Sequence, residues 1–167
     1  IRAKYRLDDH WLVQYGHFLT GLSKGDLGLS TKYRNHTVND IIVSALPVSL
    51  TLGGLAFFFA LGLGITWGVV MAVQRGRLGD YFWGLLSLLA ACIPALVIGP
   101  LLVLSLAVKA GWFPVALWNS PLHVILPTLT LGLLFAGKVA RLVRESMTTT
   151  LQSEFITAAR AKGLSES

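Results

Sequence analysis

The stretch PVSLTLGGLAFFFALGLGITWGVVMAV, residues 47–73, decides the fold class of this chain. It belongs to a longer interval, Ile41 to Val73, that contains no Asp, Glu, Lys or Arg. Because a helix rises about 1.5 Å per residue, this stretch is long enough to cross a hydrocarbon layer about 30 Å thick with some tilt. Pro47 suits the first helical turn, where its missing N–H needs no partner. The stretch therefore predicts a membrane-spanning helix.

Glycine gives this predicted helix small faces. Gly64 and Gly68 form a Gly-x-x-x-Gly pair, a spacing that lets the backbone of a neighbouring membrane helix approach closely. Glycine is also frequent in membrane helices in general. The sequence therefore leaves two interpretations open, a dedicated packing face and ordinary membrane composition.

A second span is predicted over residues 81–108, which contain no Asp, Glu, Lys or Arg. Pro94 and Pro100 lie inside it, and each removes a backbone donor and favours a kink. The freed carbonyl groups need a neighbouring helix or water in a cavity as partners. We therefore expect either a simple kink or a bent helix that lines a path across the membrane.

A third span is predicted over residues 122–141, and cationic side chains occupy its end. Lys138, Arg141 and Arg144 recur every three residues and so share about one helical face. Their alkyl stems are long enough to reach the lipid headgroups. The predicted role of all three is anchoring at the membrane surface.

Composition agrees with an all-α integral membrane fold that has three transmembrane helices. The chain is 54% hydrophobic and 13% charged, against about 25% charged for a soluble domain. Its net charge of +6 does not indicate nucleic acid, because Lys and Arg cluster beside the apolar stretches, where they suit anionic membrane lipid. The single Cys92 is interpreted as a small buried hydrophobe. We divide the chain into an extramembrane segment, residues 1–42, and a transmembrane domain, residues 43–167.

The extramembrane segment has its own local signals. A short amphipathic helix from Trp11 to Leu22 is predicted by apolar residues at helical spacing, namely Trp11, Leu12, Tyr15, Phe18, Leu19 and Leu22. Gly25-Asp26-Leu27-Gly28 predicts a turn. Thr37-Val38-Asn39-Asp40 leads into the first apolar stretch.

Three spans place the two ends of the chain on opposite sides of the membrane. Lys and Arg divide equally between the two sides. Arg2, Lys4 and Arg6 lie far from any span, and only charges near a span orient a membrane protein. The remaining charges favour the side of Arg75 as cytoplasmic, which also places the C-terminal end there.

The tail from Ser153 to Gly163 predicts a short amphipathic helix outside the membrane. Ser153 suits the N-cap and Glu154 the first turn. A small apolar face is followed by cations in the last turn and by a terminating glycine. The face is formed by Phe155, Ile156 and Ala159, the cations are Arg160 and Lys162, and the glycine is Gly163. Such a face packs on lipid or on a partner protein, and physics alone favours lipid.

The sequence of this tail resembles a known coupling motif. Residues 157–164, Thr-Ala-Ala-Arg-Ala-Lys-Gly-Leu, resemble the EAA loop of permease subunits in binding-protein-dependent ABC importers. Ala158, Ala159 and Gly163 match that motif, and Thr157 replaces its glutamate. This departure is similar to the dipeptide and oligopeptide permease branch, and most similar to its B-type oligopeptide subunits. The resemblance continues upstream, in Gly25-Asp26-Leu27-Gly28-x-Ser30, Thr37 to Asp40, Leu46-Pro47-Val48-Ser49 and Ile125-Leu126-Pro127.

The resemblance implies a six-helix permease fold in a bacterial inner membrane. The three predicted spans would then be its second to fourth helices, with further helices expected before Ile1 and after Ser167. Residues 1–42 would be periplasmic, and residues 153–163 would be a cytoplasmic coupling helix. The implied coupling residues are Phe155, Ile156, Ala158, Ala159, Arg160, Lys162 and Gly163.

The resemblance also implies the partners and the chemistry. We expect a second permease subunit, two cytoplasmic ABC ATPase subunits, a periplasmic peptide-binding protein and membrane lipid as partners. The chain has no Gly-x-x-x-x-Gly-Lys-Ser/Thr phosphate loop, so no cofactor is expected on it, and ATP and Mg²⁺ are expected on the ATPase subunits. Candidate residues for the pathway or for kinks in its wall are Pro94, Pro100, Ser87, Thr128 and Thr130. Hydroxyl groups in membrane helices often bond to their own helix instead.

Other functions remain open at this point. Within the resembling family, nickel or glutathione importers are the nearest alternatives. An ion-coupled transporter is disfavoured, because it usually has ionisable groups within its spans. An intramembrane enzyme would need a site such as Ser120 with His123, but the predicted spans contain no carboxylate to assist it.

Overall fold

The computed structural model describes residues 9–163, apart from the side chains of Ala159 and Arg160. It divides into two compact units, Ile1–Thr51 and Leu52–Ser167. Within the described range the chain is helical, and its only strand-like pairing is a single bridge between Leu29 and Thr37. The helices are α1 Trp11–Ser23, α2 Val38–Val73, α3 Leu78–Cys92, α4 Ala95–Leu102, α5 Ile125–Leu151 and α6 Glu154–Ala161. A wider π-helical segment, Val103–Lys109, continues α4, and a 3-10 turn, Pro121–Val124, precedes α5.

The predicted amphipathic helix near the N-terminus is confirmed as α1. The Nδ1 atom of His10 accepts a hydrogen bond from the Leu12 N–H at 3.4 Å and so caps the first turn. The apolar side chains of α1 are exposed, including Trp11 at 67%. This helix therefore offers an apolar surface that nothing in its own unit covers.

The loop between α1 and α2 is held by the residues of its two motifs. Gly25 and Gly28 have φ angles of 77° and 80°, which favour glycine. The Asn39 side chain accepts from the Leu27 N–H at 2.8 Å and donates to the Gly25 carbonyl. The Thr37 N–H donates to Oδ2 of Asp40 and the Asp40 N–H donates to Oγ1 of Thr37, both at 3.1 Å. These two reciprocal hydrogen bonds form a capping box at the start of α2. The two motifs are thus one folded loop.

Helices α2 and α5 are long and apolar enough to cross a membrane, as predicted. α2 has 36 residues, and α5 with its preceding 3-10 turn has 31. The expectation that Pro47 lies in the first turn was wrong: α2 begins at Val38, where the reciprocal box of Thr37 and Asp40 starts the helix, and Pro47 lies inside it. The structure also extends α5 well beyond residue 141.

Small residues on α2 form the contact with α5. The buried residues Ala56, Ala60, Gly64, Gly68 and Ala72 recur every four positions on α2, and Gly132, Ala136 and Ala140 do so on α5. A Cβ atom added at Gly64 would lie 2.7 Å from the Cβ of Val139, and one added at Gly68 would lie 2.5 Å from that of Val143. The structure therefore decides that the Gly-x-x-x-Gly pair is a packing face.

The direction of these contacts shows that α2 and α5 are parallel. Ala56 faces Gly132, Gly64 faces Ala136 and Gly68 faces Ala140, so both residue numbers rise together. α3 is antiparallel to α5, since Asp80 meets Arg144 and Ser87 meets Gly137. An added Cβ at Gly137 would clash with the Ser87 carbonyl oxygen. α5 thus packs between α2 and α3 through its smallest residues.

The second predicted span is bent at Pro94. α3 ends at Cys92, Pro94 forms the N-cap of α4, and the two helices meet at an angle of 103°. Pro100 lies within α4 without breaking it. By length and composition, the bent α3–α4 pair counts as a third candidate span, which lies between α2 and α5 in the chain. Cys92 lies exposed beside the bend, so its interpretation as a buried residue was wrong.

Candidate functional site

The short helix α6 is the first candidate site, and it ends as the sequence predicted. The Thr157 N–H donates to the Ser153 carbonyl at 3.1 Å, and Gly163 has a φ angle of 78°, which stops the helix. Phe155 is 77% exposed. Ile156 is partly covered, whereas Ala158 and Lys162 are exposed. The side chains of Ala159 and Arg160, also predicted coupling residues, lie outside the described part of the chain.

α6 follows α5 after a connection of only two residues, Gln152 and Ser153. The Gln152 N–H donates to the Thr149 carbonyl at 3.3 Å, and the Ser153 N–H donates to the Thr150 carbonyl at 3.0 Å. These turn hydrogen bonds leave the connection little freedom. α6 is therefore joined to the end of α5 by a short hydrogen-bonded turn.

An ion pair between Asp80 and Arg144 joins α3 to α5. Arg144 donates from Nε to Asp80 Oδ1 and from Nη2 to Asp80 Oδ2, both at 2.7 Å. The Asp80 side chain is 5% exposed and that of Arg144 39%. The expectation that Arg144 anchors to lipid headgroups was therefore wrong, because its guanidinium is bound to Asp80. The pairing was missed because the two residues are 64 positions apart and no local pattern connects them.

The other two cations of α5 have different surroundings. The Nζ atom of Lys138 lies 5.5 Å from the centre of the Phe135 ring, a cation–π distance within one helix face. Arg141 is exposed and borders a cavity of about 340 Å³ between α3 and α5. Met71, Ser87 and Arg144 also border this cavity. Lys138 and Arg141 remain compatible with the predicted headgroup contact.

The hydroxyl groups predicted as pathway candidates have different partners. Ser87 is fully buried and donates to the Gly84 carbonyl at 2.9 Å. Thr130 donates to the Leu126 carbonyl at 2.8 Å. The hydroxyl of Thr128 is buried and has no hydrogen-bond partner within the described residues. Other hydroxyls of the apolar helices also donate to carbonyl groups of the preceding turn, among them those of Ser44, Thr51, Thr66 and Ser105.

Thr130 also borders a second cavity, of about 400 Å³, beside the bend. Gly99 of α4 and the loop residues Pro114 to Leu117 line it together with His123. A Cβ added at Gly99 would lie 3.4 Å from Cγ2 of Thr130, so α4 packs closely on α5 at this point. The structure thus places Thr130 beside the bent segment, whereas Ser87 lies at the cavity near Arg141.

The Ser120 and His123 pair has a structural role. Their side chains lie 2.9 Å apart, between Oγ and Nδ1, and Nδ1 of His123 also accepts from the Ser120 N–H at 3.2 Å. This arrangement is a capping box at the start of the 3-10 turn. Since Nδ1 serves the cap, the pair is not arranged as a general base acting on a nucleophile.

Comparison with known proteins identifies the family of this chain. Residues 64–167 match the family described as binding-protein-dependent transport system inner membrane component. The chain is 43% identical over its whole length to the oligopeptide transport system permease protein OppB of Haemophilus influenzae. It is 42% identical, over 98% of its length, to OppB of Escherichia coli K12.

A dipeptide transport protein is also similar. The chain is 38% identical, over 99% of its length, to the dipeptide transport system permease protein DppB of Bacillus subtilis. The chain covers 55% of the Haemophilus protein and 54% of the other two, so it spans about half the length of these relatives. The family match and the helical membrane fold agree, and the chain belongs to the family of inner membrane components of binding-protein-dependent transport systems.

Proposed function

We propose that this chain forms part of the translocation pathway of an ATP-driven importer for oligopeptides or dipeptides. The observation that carries this proposal is the 43% identity to an oligopeptide permease protein along the entire chain. The parallel packing of α2 on α5, with α3 antiparallel to α5, supports a membrane-embedded role. The transporter would lie in a bacterial inner membrane, with residues 1–42 periplasmic and the C-terminal end cytoplasmic.

α6 is the proposed coupling helix to a separate ATPase subunit. Its Phe155 is 77% exposed and Ala158 is exposed as well. The sequence adds Ile156 and Ala159 as further apolar residues of the predicted coupling set. An amphipathic helix of this kind fits an apolar groove on a partner. Arg160 and Lys162 would face acidic groups at the rim of that groove, and Gly163 would allow close approach. ATP and Mg²⁺ would be bound by the ATPase subunits, so the chain acts in transport and carries no catalytic site of its own.

The first experiment replaces Phe155 in the full-length permease subunit, co-expressed with its second permease subunit and its ATPases. Phe155→Asp puts a charge into the proposed apolar contact, and we expect it to abolish ATPase co-purification and peptide uptake. Phe155→Leu keeps the apolar volume and is expected to retain both. Gly163→Arg is a less specific change, because the φ angle of 78° makes any side chain there unfavourable.

Phe18→Asp is the matched control for this experiment. Phe18 is an exposed phenylalanine on α1, in the segment proposed to be periplasmic. We expect it to leave ATPase co-purification unchanged. If Phe155→Asp inserts in the membrane and still binds the ATPase and imports peptide, α6 is a helix that packs only on lipid, and the coupling proposal is wrong.

The substrate class is tested by competition in proteoliposomes that contain the whole transporter and its binding protein. Uptake of a labelled tripeptide should be inhibited by unlabelled dipeptides and longer peptides. Nickel and glutathione, the substrates of the alternative functions, should not compete. Efficient uptake of either one, with no uptake of peptide, would replace the peptide proposal with that alternative.

A further inference from the structure

The carboxylate of Asp80 connects three elements of the second unit. Oδ1 and Oδ2 accept the two hydrogen bonds of Arg144 on α5, and Oδ2 also accepts from the Gly76 N–H at 3.1 Å. Gly76 lies in the short loop after α2, and Asp80 itself belongs to the first turn of α3. One side chain therefore joins the end of α2, the start of α3 and the last part of α5.

The geometry of the pair fixes orientation as well as distance. Two parallel hydrogen bonds from a guanidinium to a carboxylate restrict the rotation of both side chains. A buried ion pair also contributes little net stability, because desolvation of the charges offsets their attraction. With Asp80 only 5% exposed, the arrangement is better suited to positioning the helices than to stabilising them.

The pair lies near the end of the part of α5 that packs on α2 and α3. Before it, Gly132, Gly137 and the contact between Gly68 and Val143 hold α5 against its neighbours. Within the described residues, the bonds of Arg144 are the last side-chain hydrogen bonds from α5 to another element. α5 then continues for about 10 Å, at 1.5 Å per residue, to Leu151 and the connection to α6.

We propose that Asp80 and Arg144 form a positioning clamp that makes α2, α3 and α5 move as one body when α6 is displaced by its partner. The displacement arrives at the C-terminal end of α5, where a helix without the ion pair would bend or rotate alone. With the clamp closed, the same displacement reaches α2 through Gly76 and α3 through Asp80. This inference rests on the proposed coupling role of α6.

The test uses the complete transporter, with every native cysteine of the permease subunit, Cys92 included, replaced by serine so that introduced cysteines carry the only spin labels on that subunit. A label pair at Leu78 and Ser146, both exposed, reports the distance between α3 and α5. A single label at Thr157, also exposed, reports α6. We expect ATP to change the Thr157 signal while the Leu78–Ser146 distance stays narrow and constant.

The clamp variant is Asp80→Asn, which removes the charge and keeps the shape. In this variant we expect Thr157 still to respond to ATP, whereas the Leu78–Ser146 distribution broadens with nucleotide. Peptide uptake per ATP hydrolysed should fall by about tenfold, a size typical of coupling between sites. Arg144→Lys keeps the charge but loses the two-bond geometry, and it serves as a second variant with the same expectation if Asp80→Asn does not assemble.

Two controls separate the clamp from general damage. Arg141→Gln removes a cation from the same helix and the same cavity, but not from the ion pair, and should leave distance and uptake per ATP unchanged. The exchange Asp80→Arg with Arg144→Asp should narrow the distribution again. A purely structural role would instead lower assembly and uptake together, at constant uptake per ATP.

The outcomes also distinguish this inference from the proposed function. The clamp proposal is wrong if the Leu78–Ser146 distance distribution stays narrow in Asp80→Asn. It is also wrong if that distance changes with ATP while Asp80 and Arg144 are intact. In both cases the proposal of peptide import is unaffected. If the labels behave as expected but no peptide is imported, the substrate proposal is wrong and the clamp stands. If ATP leaves Thr157 unchanged, both the coupling role of α6 and the clamp are wrong.

Discussion

At the scale of single residues, the buried hydroxyl of Thr128 departs from the local pairing that the other pathway candidates show. Thr130, two positions later, bonds to its own helix at the Leu126 carbonyl. Thr128 carries the same hydroxyl on the same helix but has no partner within the described residues. A buried hydroxyl without a hydrogen bond lowers stability. Thr128 is therefore the pathway candidate whose hydroxyl forms no hydrogen bond within the described residues.

Replacing Thr128 with valine tests this interpretation. Thr128→Val keeps the shape and removes the unpaired hydroxyl, so we expect the free energy of unfolding in detergent to rise by about 1 kcal/mol. Thr130→Val is the matched control and should lower it, because it removes a hydrogen bond that is made. Thermal unfolding followed by tryptophan fluorescence measures both. Destabilisation by Thr128→Val would mean that the hydroxyl does have a partner.

Glycine contacts provide a second prediction at this scale. Gly68→Leu would push side-chain atoms into Val143 and the Ala140 carbonyl, so we expect α2 and α5 to separate and stability to fall by about 3 kcal/mol or more. Gly62→Leu on the same helix is the control, because no neighbouring atom lies within 4 Å of an added Cβ there. Equal effects of the two substitutions on the unfolding temperature would exclude a specific packing role for Gly68.

At the scale of elements, the bend between α3 and α4 has both a local and a tertiary cause. Pro94 interrupts the backbone hydrogen bonds, which allows a bend but does not set its size. Gly137 holds α3 close to α5, and the contact between Gly99 and Thr130 holds α4 close to the same helix. The angle of 103° therefore follows from packing on α5 more than from the proline alone.

Pro94→Ala separates these two causes. Alanine restores the backbone donor, yet we expect the bend to persist because both halves remain packed on α5. Spin labels at the exposed Leu89 and Leu101 measure the result. A straight helix would place these Cα atoms about 18 Å apart, and a shift towards that distance in the variant would show that proline alone maintains the bend.

At the scale of the whole molecule, the two ends of the described chain are predicted to lie on opposite sides of the membrane. Parallel α2 and α5 require three crossings, and the basic residues near the spans favour the side of Arg75 as cytoplasmic. In a permease whose native cysteines, Cys92 included, are replaced by serine, we expect a membrane-impermeant thiol reagent to label Ser23→Cys in intact spheroplasts. Ser146→Cys should react only after permeabilisation, and the reverse pattern would invert the topology.

The sequence by itself determined the fold class, the membrane location and the family. Long intervals without charge exclude a soluble surface, and the order of short motifs from Gly25 to Gly163 is specific even though each motif is weak. It also predicted the start and end of α6, because caps and terminating glycines act within one helical turn. These properties depend on residues that are close together in the chain.

Only the tertiary structure decided which helices touch and what the charged groups do. The sequence could not assign Arg144 to Asp80, because an ion pair 64 residues apart depends on how helices pack. It left the Gly64 and Gly68 pair undecided, since the same spacing occurs on helices with no close neighbour. Packing selects among faces that are locally equivalent, and that selection depends on the partner helix, which no local pattern specifies.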